Sequence, residues 1–302
     1  MPSYTLKVSP DNSSARLDVF LTRELKDLPS RNFIQKLIED GHVKVNERIA
    51  KSNYKLNSGE EIIVNIPDDF GKPQYISPEN IPLDIFYEDD YLIVVNKPIG
   101  MIVHPADGVY SGTLVNALLH YADNLSDVNS AIRPGIVHRL DQDTSGLIVV
   151  AKDNITHARL AKLFERREIK KKYIALVEGI IEFDEGKIDE PIGTSLRRRD
   201  KKAVRYDEDS KEALTFYKVL RRGKNVSLVS LLLKTGRTHQ LRVHMSFIGH
   251  PILGDKKYGS RTPFSRLALH SKSIGFKHPI TKKYIEFSSK TPSEFLERIK
   301  LP

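Results

Sequence analysis

The sequence predicts an α+β protein in two parts: a small α+β unit, then a larger domain built on a mixed, mainly antiparallel β-sheet with flanking helices. Three observations predict it. The chain has 302 residues, which suggests about two domains. Residues 67–82 carry four prolines, Asp68-Asp69 and Gly71, the composition of a linker. Beyond them, many strand-like runs are interrupted by a few helical patterns that never alternate strictly with the strands, as an α+β sheet requires. The expected division is 1–75, with a core at about 14–66, and 83–302.

In the first part, Ser13 or Ser14 is available to cap a helix that begins at Arg16-Leu17-Asp18. Ser30 caps a second helix, in which Phe33, Ile34, Leu37 and Ile38 make one apolar face, and Gly41 stops it. Residues 42–46 alternate as a short strand and residues 59–64 read as another. In the second part, residues 92–95 form a buried strand ended by Pro98, and residues 100–105 a short extended piece. Residues 112–121 read as a helix, and the apolar run 147–151 as a buried strand. Asn154 caps a helix carrying Leu160, Leu163 and Phe164. Strands follow at 171–179, 213–220 and 226–233. A helix opened by Thr238 or the preceding turn runs through Leu241, Val243, Met245 and Phe247.

Composition excludes several classes. There is no Cys, so disulfides and thiolate metal sites are ruled out, and a reducing cytoplasmic setting fits. No apolar run reaches the ~18 residues of a membrane span, and the N-terminus lacks a signal-type apolar core. The formal net charge of +9 steers the chain toward polyanions, of which nucleic acid is the commonest. Positive charge concentrates at 159–172 and at 197–205, the latter between strands as an exposed basic loop. Phosphate binding and a solvated charge run both account for such segments. The first part is nearly balanced, with ten Lys/Arg against nine Asp/Glu in residues 1–66. Phosphate-loop, dinucleotide-loop and nucleophile-elbow patterns are missing. His239 and His244 are five apart, the wrong spacing for one helical face, and no metal site is expected. What remains is chemistry by a carboxylate, helped by basic and aromatic side chains.

The carboxylate in question is Asp141. It stands in Pro134-Gly135-Ile136-Val137-His138-Arg139-Leu140-Asp141, ahead of Asp143-Thr144-Ser145-Gly146-Leu147. An acid on a turn beside a rigid strand has the placement of a positioned catalytic group. On residue type alone the favoured reading is an Asp that caps its own turn. The whole string decides, because it closely resembles the signature of RNA pseudouridine synthases, in the branch that modifies large-subunit ribosomal RNA and, in some members, transfer RNA. Three further pieces of that pattern recur in order: Asn96-Lys97-Pro98 through His104-Pro105, then Lys172-Tyr173-x-Ala175, then Thr235-Gly236-Arg237-Thr238-His239-Gln240-Leu241-Arg242-Val243-His244 with Gly254-Asp255 after it. A closing Arg266-Leu267-x-Leu269-His270 also fits. In the first part, Ser30-Arg31, Ile34, Leu37-Ile38, Gly41, Val43, Val45-Asn46 and Gly59 resemble the small ribosomal-protein-type RNA-binding domain.

The resemblance implies isomerisation of a uridine within structured RNA, with no cofactor and no metal. It makes Asp141 the catalytic acid, Arg242 the cation that pairs with it, and Tyr173 the ring that stacks on the uracil. Leu267 is expected on the other face of the base, and Arg139, with His138, in the space the extruded base leaves. Arg31, Lys36, Lys44 and Arg48 match the RNA-facing positions of the small domain. A transfer RNA synthase and a non-catalytic RNA-binding or ribosome-assembly protein are the alternatives. A glycosidase using Asp141 and Asp143 is disfavoured, since alternate positions in one turn do not flank a sugar on both sides. A monomer is the default, because no coiled-coil or large exposed apolar pattern occurs.

Overall fold

The computed structural model describes residues 2–68, 70, 76–105, 109–128 and 133–300. The chain divides into two compact units, Met1–Gln74 and Tyr75–Pro302. Residues 69 and 71–75 of the expected linker lie outside the described residues. Residues 76–82 do not hang free. Ile76 is buried, Asn116 Nδ2 donates to the Ser77 carbonyl at 2.8 Å, and Glu79 N donates to the Asn116 carbonyl at 2.9 Å. They belong to the second unit.

The first unit holds strand β1 (Ser3–Lys7), helices α1 (Leu17–Glu24) and α2 (Arg31–Glu39), and strands β2 (Val43–Val45), β3 (Arg48–Ile49) and β4 (Glu61–Asn65). The strands form one antiparallel sheet in the order β1-β4-β2-β3. β1 was not expected, because its residues alternate only between exposed and half-buried positions. Ser30 caps α2 by accepting from Phe33 N, and Gly41 ends it at φ +79°. The expected Ser cap of α1 is corrected: Arg16 takes that position, without a side-chain cap bond. Ile34, Leu37 and Ile38 pack with Leu17, Phe20, Leu21, Ile62 and Val64 into this unit's own core.

The second unit is built on β5 (Ile85–Glu88), β6 (Leu92–Lys97), β7 (Ser145–Ala151), β8 (Lys170–Glu178), β9 (Glu185–Asp189), β10 (Ile192–Thr194), β11 (Lys202–Val204), β12 (Leu214–Arg222), β13 (Val226–Leu233), β14 (Leu269–Lys277) and β15 (Tyr284–Ser288). Its helices are α3 (Leu114–Tyr121), α4 (Asn154–Glu165), α5 (Gln240–Phe247) and α6 (Ser293–Lys300). Nine strands form one sheet in the order β5-β6-β7-β14-β8-β13-β12-β9, with β15 also on β14. Every pair is antiparallel except β7 with β14. β10 and β11 make a separate hairpin that carries the basic loop.

Burial on both faces explains why β6 and β7 read as unbroken apolar runs. Successive side chains point to opposite faces. Ile93, Val95, Ile148 and Val150 enter the larger core, while Leu92, Val94, Leu147 and Val149 enter a second core with Leu160 of α4 and Phe276 of β14. The start of β7 depends on Gly146. It sits at φ +109°, and a Cβ there would collide with the Ser271 backbone of the paired strand. Asp153, not Asn154, caps α4, accepting from Thr156 N at 2.8 Å. Residues 100–105 form no strand.

Candidate active site

Asp141 lies on the turn that feeds β7. Its backbone, not its carboxylate, closes that turn: Thr144 N donates to the Asp141 carbonyl at 3.0 Å. The next carbonyl, of Gln142, accepts from Gly100 N at 2.9 Å and from Lys97 Nζ at 3.1 Å. Lys97 is fully buried and also donates to the Pro98 and Met101 carbonyls at 2.8 Å. Burial lowers its pKa to about 8, against the pull of Asp143 and Asp141. The turn is therefore clamped from behind by an ammonium, and the Asp141 side chain is left for other work. Among the described residues its carboxylate makes no hydrogen bond, so the turn-capping reading fails.

Two groups from the start of α5 face that carboxylate. Arg242 Nη1 is 3.7 Å from Asp141 Oδ2, and His239 Nε2 is 3.9 Å from it. The pair expected from sequence is present, but the fork of the guanidinium is closed elsewhere. Arg242 Nε and Nη2 donate to the two oxygens of Asp255 at 2.7 and 2.9 Å, with both residues buried. Asp255 thus fixes Arg242, and Arg242 presents its remaining nitrogen to Asp141. Gly254 makes this turn possible. At φ +74° it passes so close to the Arg266 carbonyl that a Cβ would clash with it.

His239 takes a left-handed conformation at the head of α5, φ +57°. Its Nδ1 is 2.8 Å from the Tyr258 hydroxyl, which also accepts from Lys202 N at 3.0 Å. With Nδ1 on the Tyr258 hydroxyl, Nε2 is the ring nitrogen that faces Asp141. Burial lowers the His239 pKa, which favours the neutral ring.

Asp141, Tyr173, Arg242 and His239 all line one hollow of about 350 Å³, together with Arg139, Thr144, Phe164, Lys171, Leu233, Leu269 and the 236–241 turn. Tyr173 comes from β8, where it sits between Leu231 of β13 and Ser271 of β14. Burial, then the negative charge of Asp141, raises its phenol well above the usual value, so it stays protonated at neutral pH. The hollow offers a wall of Tyr173, Phe164, Leu233 and Leu269, one solvent-reachable carboxylate and several cations. It suits a flat, neutral heterocycle on a charged backbone.

The sequence profile of the RNA pseudouridylate synthase family matches residues 91–247, over half of the chain, and that of the S4 domain matches residues 15–62. The chain belongs to the RNA pseudouridylate synthase family. It is 42% identical over 303 residues to the uncharacterized RNA pseudouridine synthase YlyB of Bacillus subtilis, covering 99% of this chain and 98% of that one. It is 41% identical over 307 residues to the ribosomal large subunit pseudouridine synthase D of Zymomonas mobilis, covering 97% and 96%. Among solved structures it is similar to human RNA pseudouridylate synthase domain containing 1, with a TM-score of 0.58, 28% identity, and coverage of 73% of this chain and 86% of that one.

Within this synthase the structure rearranges several expected roles. His138 is a wall, not a mobile finger. Its ring stacks on Phe164 with centroids 4.6 Å apart, and its Nε2 accepts from Val149 N at 3.0 Å. Burial, then the charge of Lys171, lowers its pKa to about 3. Held in this way, the ring lines the hollow as part of its wall. Arg139 is exposed and lines both this hollow and a neighbouring one. Leu267 lines the neighbour, with Asp255, Lys256 and Lys257, and its backbone runs against the Gly254 turn. Leu269 lines the hollow of Asp141 and Tyr173.

In the S4 unit, Lys36, Lys44 and Arg48 are exposed. Arg31 is committed to the buried Asp18, at 2.8 Å, alongside Arg16 and Gln35. These partners lower the Asp18 pKa against the opposing effect of burial. In this structure Arg31 is first a structural cation. Sequence reasoning missed Asp255, Tyr258 and the role of His239. A Gly-Asp step after the Arg242 helix is a weak signal for the first, the place of His239 in the 235–244 string is one for the third, and Tyr258 carried none.

Proposed function

We propose that Asp141 is the catalytic carboxylate of a uridine-to-pseudouridine isomerisation, acting on structured large-subunit ribosomal RNA in the cytoplasm as a monomer. The observation that carries this reading is the Asp141 carboxylate itself. It is solvent-reachable, free of hydrogen bonds among the described residues, and 3.7 Å from a guanidinium already fixed by Asp255. A carboxylate in that state is unencumbered, ready to act on the ribose.

The reaction breaks the bond between C1′ and N1, turns the uracil, and joins C1′ to C5. The proton on C5 is lost, and N1 gains one. Tyr173 stacks on the turning base, and its hydroxyl donates rather than accepts a proton at neutral pH, since burial keeps it protonated. Arg242 holds positive charge near the anionic reaction centre, and the His239 ring faces it too. A target inside folded RNA must leave its stack, which costs on the order of a few kcal/mol. Arg139, exposed at the rim, occupies the vacated site. Lys36, Lys44 and Arg48 of the S4 unit and the basic β10–β11 loop supply phosphate contacts.

Large-subunit ribosomal RNA is chosen over transfer RNA because a relative that is 41% identical over nearly its whole length carries that name. The test is to map pseudouridine across cellular RNA in cells lacking the gene, restored with the wild-type or the Asp141→Asn gene. Loss of specific large-subunit sites that only the wild type restores supports the reading. Loss confined to transfer RNA, or restoration by Asp141→Asn, overturns it.

A further inference from the structure

Next to the catalytic hollow lies a smaller one, of about 250 Å³, that shares four residues with it: Phe164, Lys171, Gly236 and Arg237. Its remaining lining includes Arg167, Lys234, Thr235 and Glu165. Four cations therefore face one exposed acid, Glu165. The sharing is a matter of topology. Lys171 pairs with Leu233 across β8 and β13, and the 234–237 turn follows β13 directly. Arg167 stands in the turn between α4 and β8, at φ +59°.

Lys171 is the unusual member. It is half-buried, and its ammonium has neither an anion nor a hydrogen-bond acceptor among the described residues. Around it stand the face of Phe164, 5.6 Å from Nζ to the ring centroid, and the Gly236 backbone, where a Cβ would lie 3.5 Å from Nζ. Burial lowers its pKa, as expected for a cation without a counter-ion. Phe164 is itself braced on its His138 contact. A cation held this way, at the junction of two hollows and lacking an anion, is a socket for one.

We propose that this second hollow is a subsite for the nucleotide adjacent to the target, and that Lys171 binds the phosphodiester that joins the two. The target uridine enters the Asp141 hollow. The linking phosphate reaches the Lys171 ammonium at the shared edge. The neighbouring sugar and phosphate lie along Arg167, Lys234 and Arg237. Arg237 is already oriented, its Nε donating to the Glu212 carbonyl at 3.0 Å, which leaves its terminal nitrogens for RNA. The subsite reads backbone, not base, so it fixes how the strand enters rather than which sequence is chosen. This inference rests on the RNA-modifying reading of the Asp141 hollow.

The experiment uses a synthetic RNA stem–loop around a uridine that the wild-type enzyme converts. One linkage, either 5′ or 3′ of that uridine, is made an uncharged methylphosphonate. Affinity is read by filter binding and turnover by tritium release from C5-labelled uridine. Neutralising one of the two linkages should raise KM for the wild type about tenfold, a single charge-assisted contact, with the loss falling on KM rather than kcat. Lys171→Gln should bind the all-phosphate RNA about tenfold more weakly, flatten the salt dependence by about one unit of slope, and show no further loss on the modified RNA. Where Lys171→Gln fails to fold, the exposed Lys234→Gln carries the test one linkage further out, with a smaller loss, a flatter slope and no further loss when that outer linkage is the methylphosphonate. Independent, multiplying losses for the variant and the modified linkage overturn the proposal. So does unchanged affinity in both variants. A wild-type enzyme that binds the RNAs and converts no uridine in any of them overturns the functional reading instead.

Discussion

Asp255→Asn is the substitution that separates holding Arg242 from using it. The change is isosteric. An asparagine oxygen in the place of Oδ1 keeps the bonds from Tyr258 N, at 3.1 Å, and from Arg242 Nη2, at 2.9 Å. Its amide nitrogen then faces Arg242 Nε, donor against donor, where a 2.7 Å bond stood. Breaking a buried pair by neutralising one partner costs about 3–5 kcal/mol. Asp141 remains as a second anion at 3.7 Å, which puts the expected loss near the lower end, about 3 kcal/mol. The released guanidinium should turn to Asp141 and close that gap to hydrogen-bonding distance. The catalytic carboxylate would then be tied up, and single-turnover pseudouridine formation should fall at least tenfold while RNA affinity changes little. Urea unfolding followed by circular dichroism reads the first quantity, and tritium release under excess enzyme the second. A variant within about 0.5 kcal/mol of wild type and within twofold in rate would refute the reasoning, because Asp255 would then be a bystander.

Three further outcomes follow from the same structure. Tyr173→Phe keeps the ring and should hold RNA affinity within about threefold, whereas Tyr173→Ala should lose about 1–3 kcal/mol of stacking; equal losses in binding assays would deny the ring its role. Stability should fall as pH drops from about 6.5 toward 4. His104 and His270 are held neutral down to about 4, and His138 to about 3, chiefly by burial, while the unfolded chain takes up its protons near 6.5. The unfolded state then binds more protons throughout that window, and the folded state loses on the order of a few kcal/mol; a flat urea midpoint from pH 7 to 4 would contradict these assignments. Removing the S4 unit, to leave residues 75–302, should weaken binding to structured RNA more than it slows turnover at saturating substrate, and gel-shift titration beside kinetics would show it.

Much of the fold is legible because the physics is local or periodic. β6, β7 and β13 announce themselves as apolar runs since both of their faces are buried. Ser30 and Gly41 bracket α2 by capping chemistry that any sequence displays. The strand in the middle of the sheet, β14, does not show. Its first half is Leu-His-Ser-Lys-Ser, and those polar groups are satisfied inside: His270 bonds Ser145 and Ser289 at 2.8 Å, and Ser271 donates to the Leu147 carbonyl at 3.0 Å. Hydrophobicity cannot mark a strand whose burial is settled by hydrogen bonds.

The site divides in the same way. Asp141, Tyr173 and Arg242 were readable as parts of motifs, and the structure brings all three to one hollow. The partner that fixes Arg242 comes from a turn 13 residues later and leaves no periodic trace. His138 looked like an RNA-contacting side chain from its neighbours in the string. What holds it, Phe164 and Val149, comes from α4 and β7, so only the folded chain reveals a wall. Leu267 and Leu269 are two residues apart, and only the folded chain shows that Leu269 lines the hollow of Asp141 and Tyr173 while Leu267 lines its neighbour.

The most direct measurement of the central claim is made on purified Asp141→Asn with a stem–loop RNA labelled at C5 of uridine. Tritium release and RNA affinity are followed in the same preparation. The carboxylate account predicts no detectable release with a Kd within about threefold of wild type, since Asn fills the same space without the charge. Release at a rate near that of wild type would contradict it.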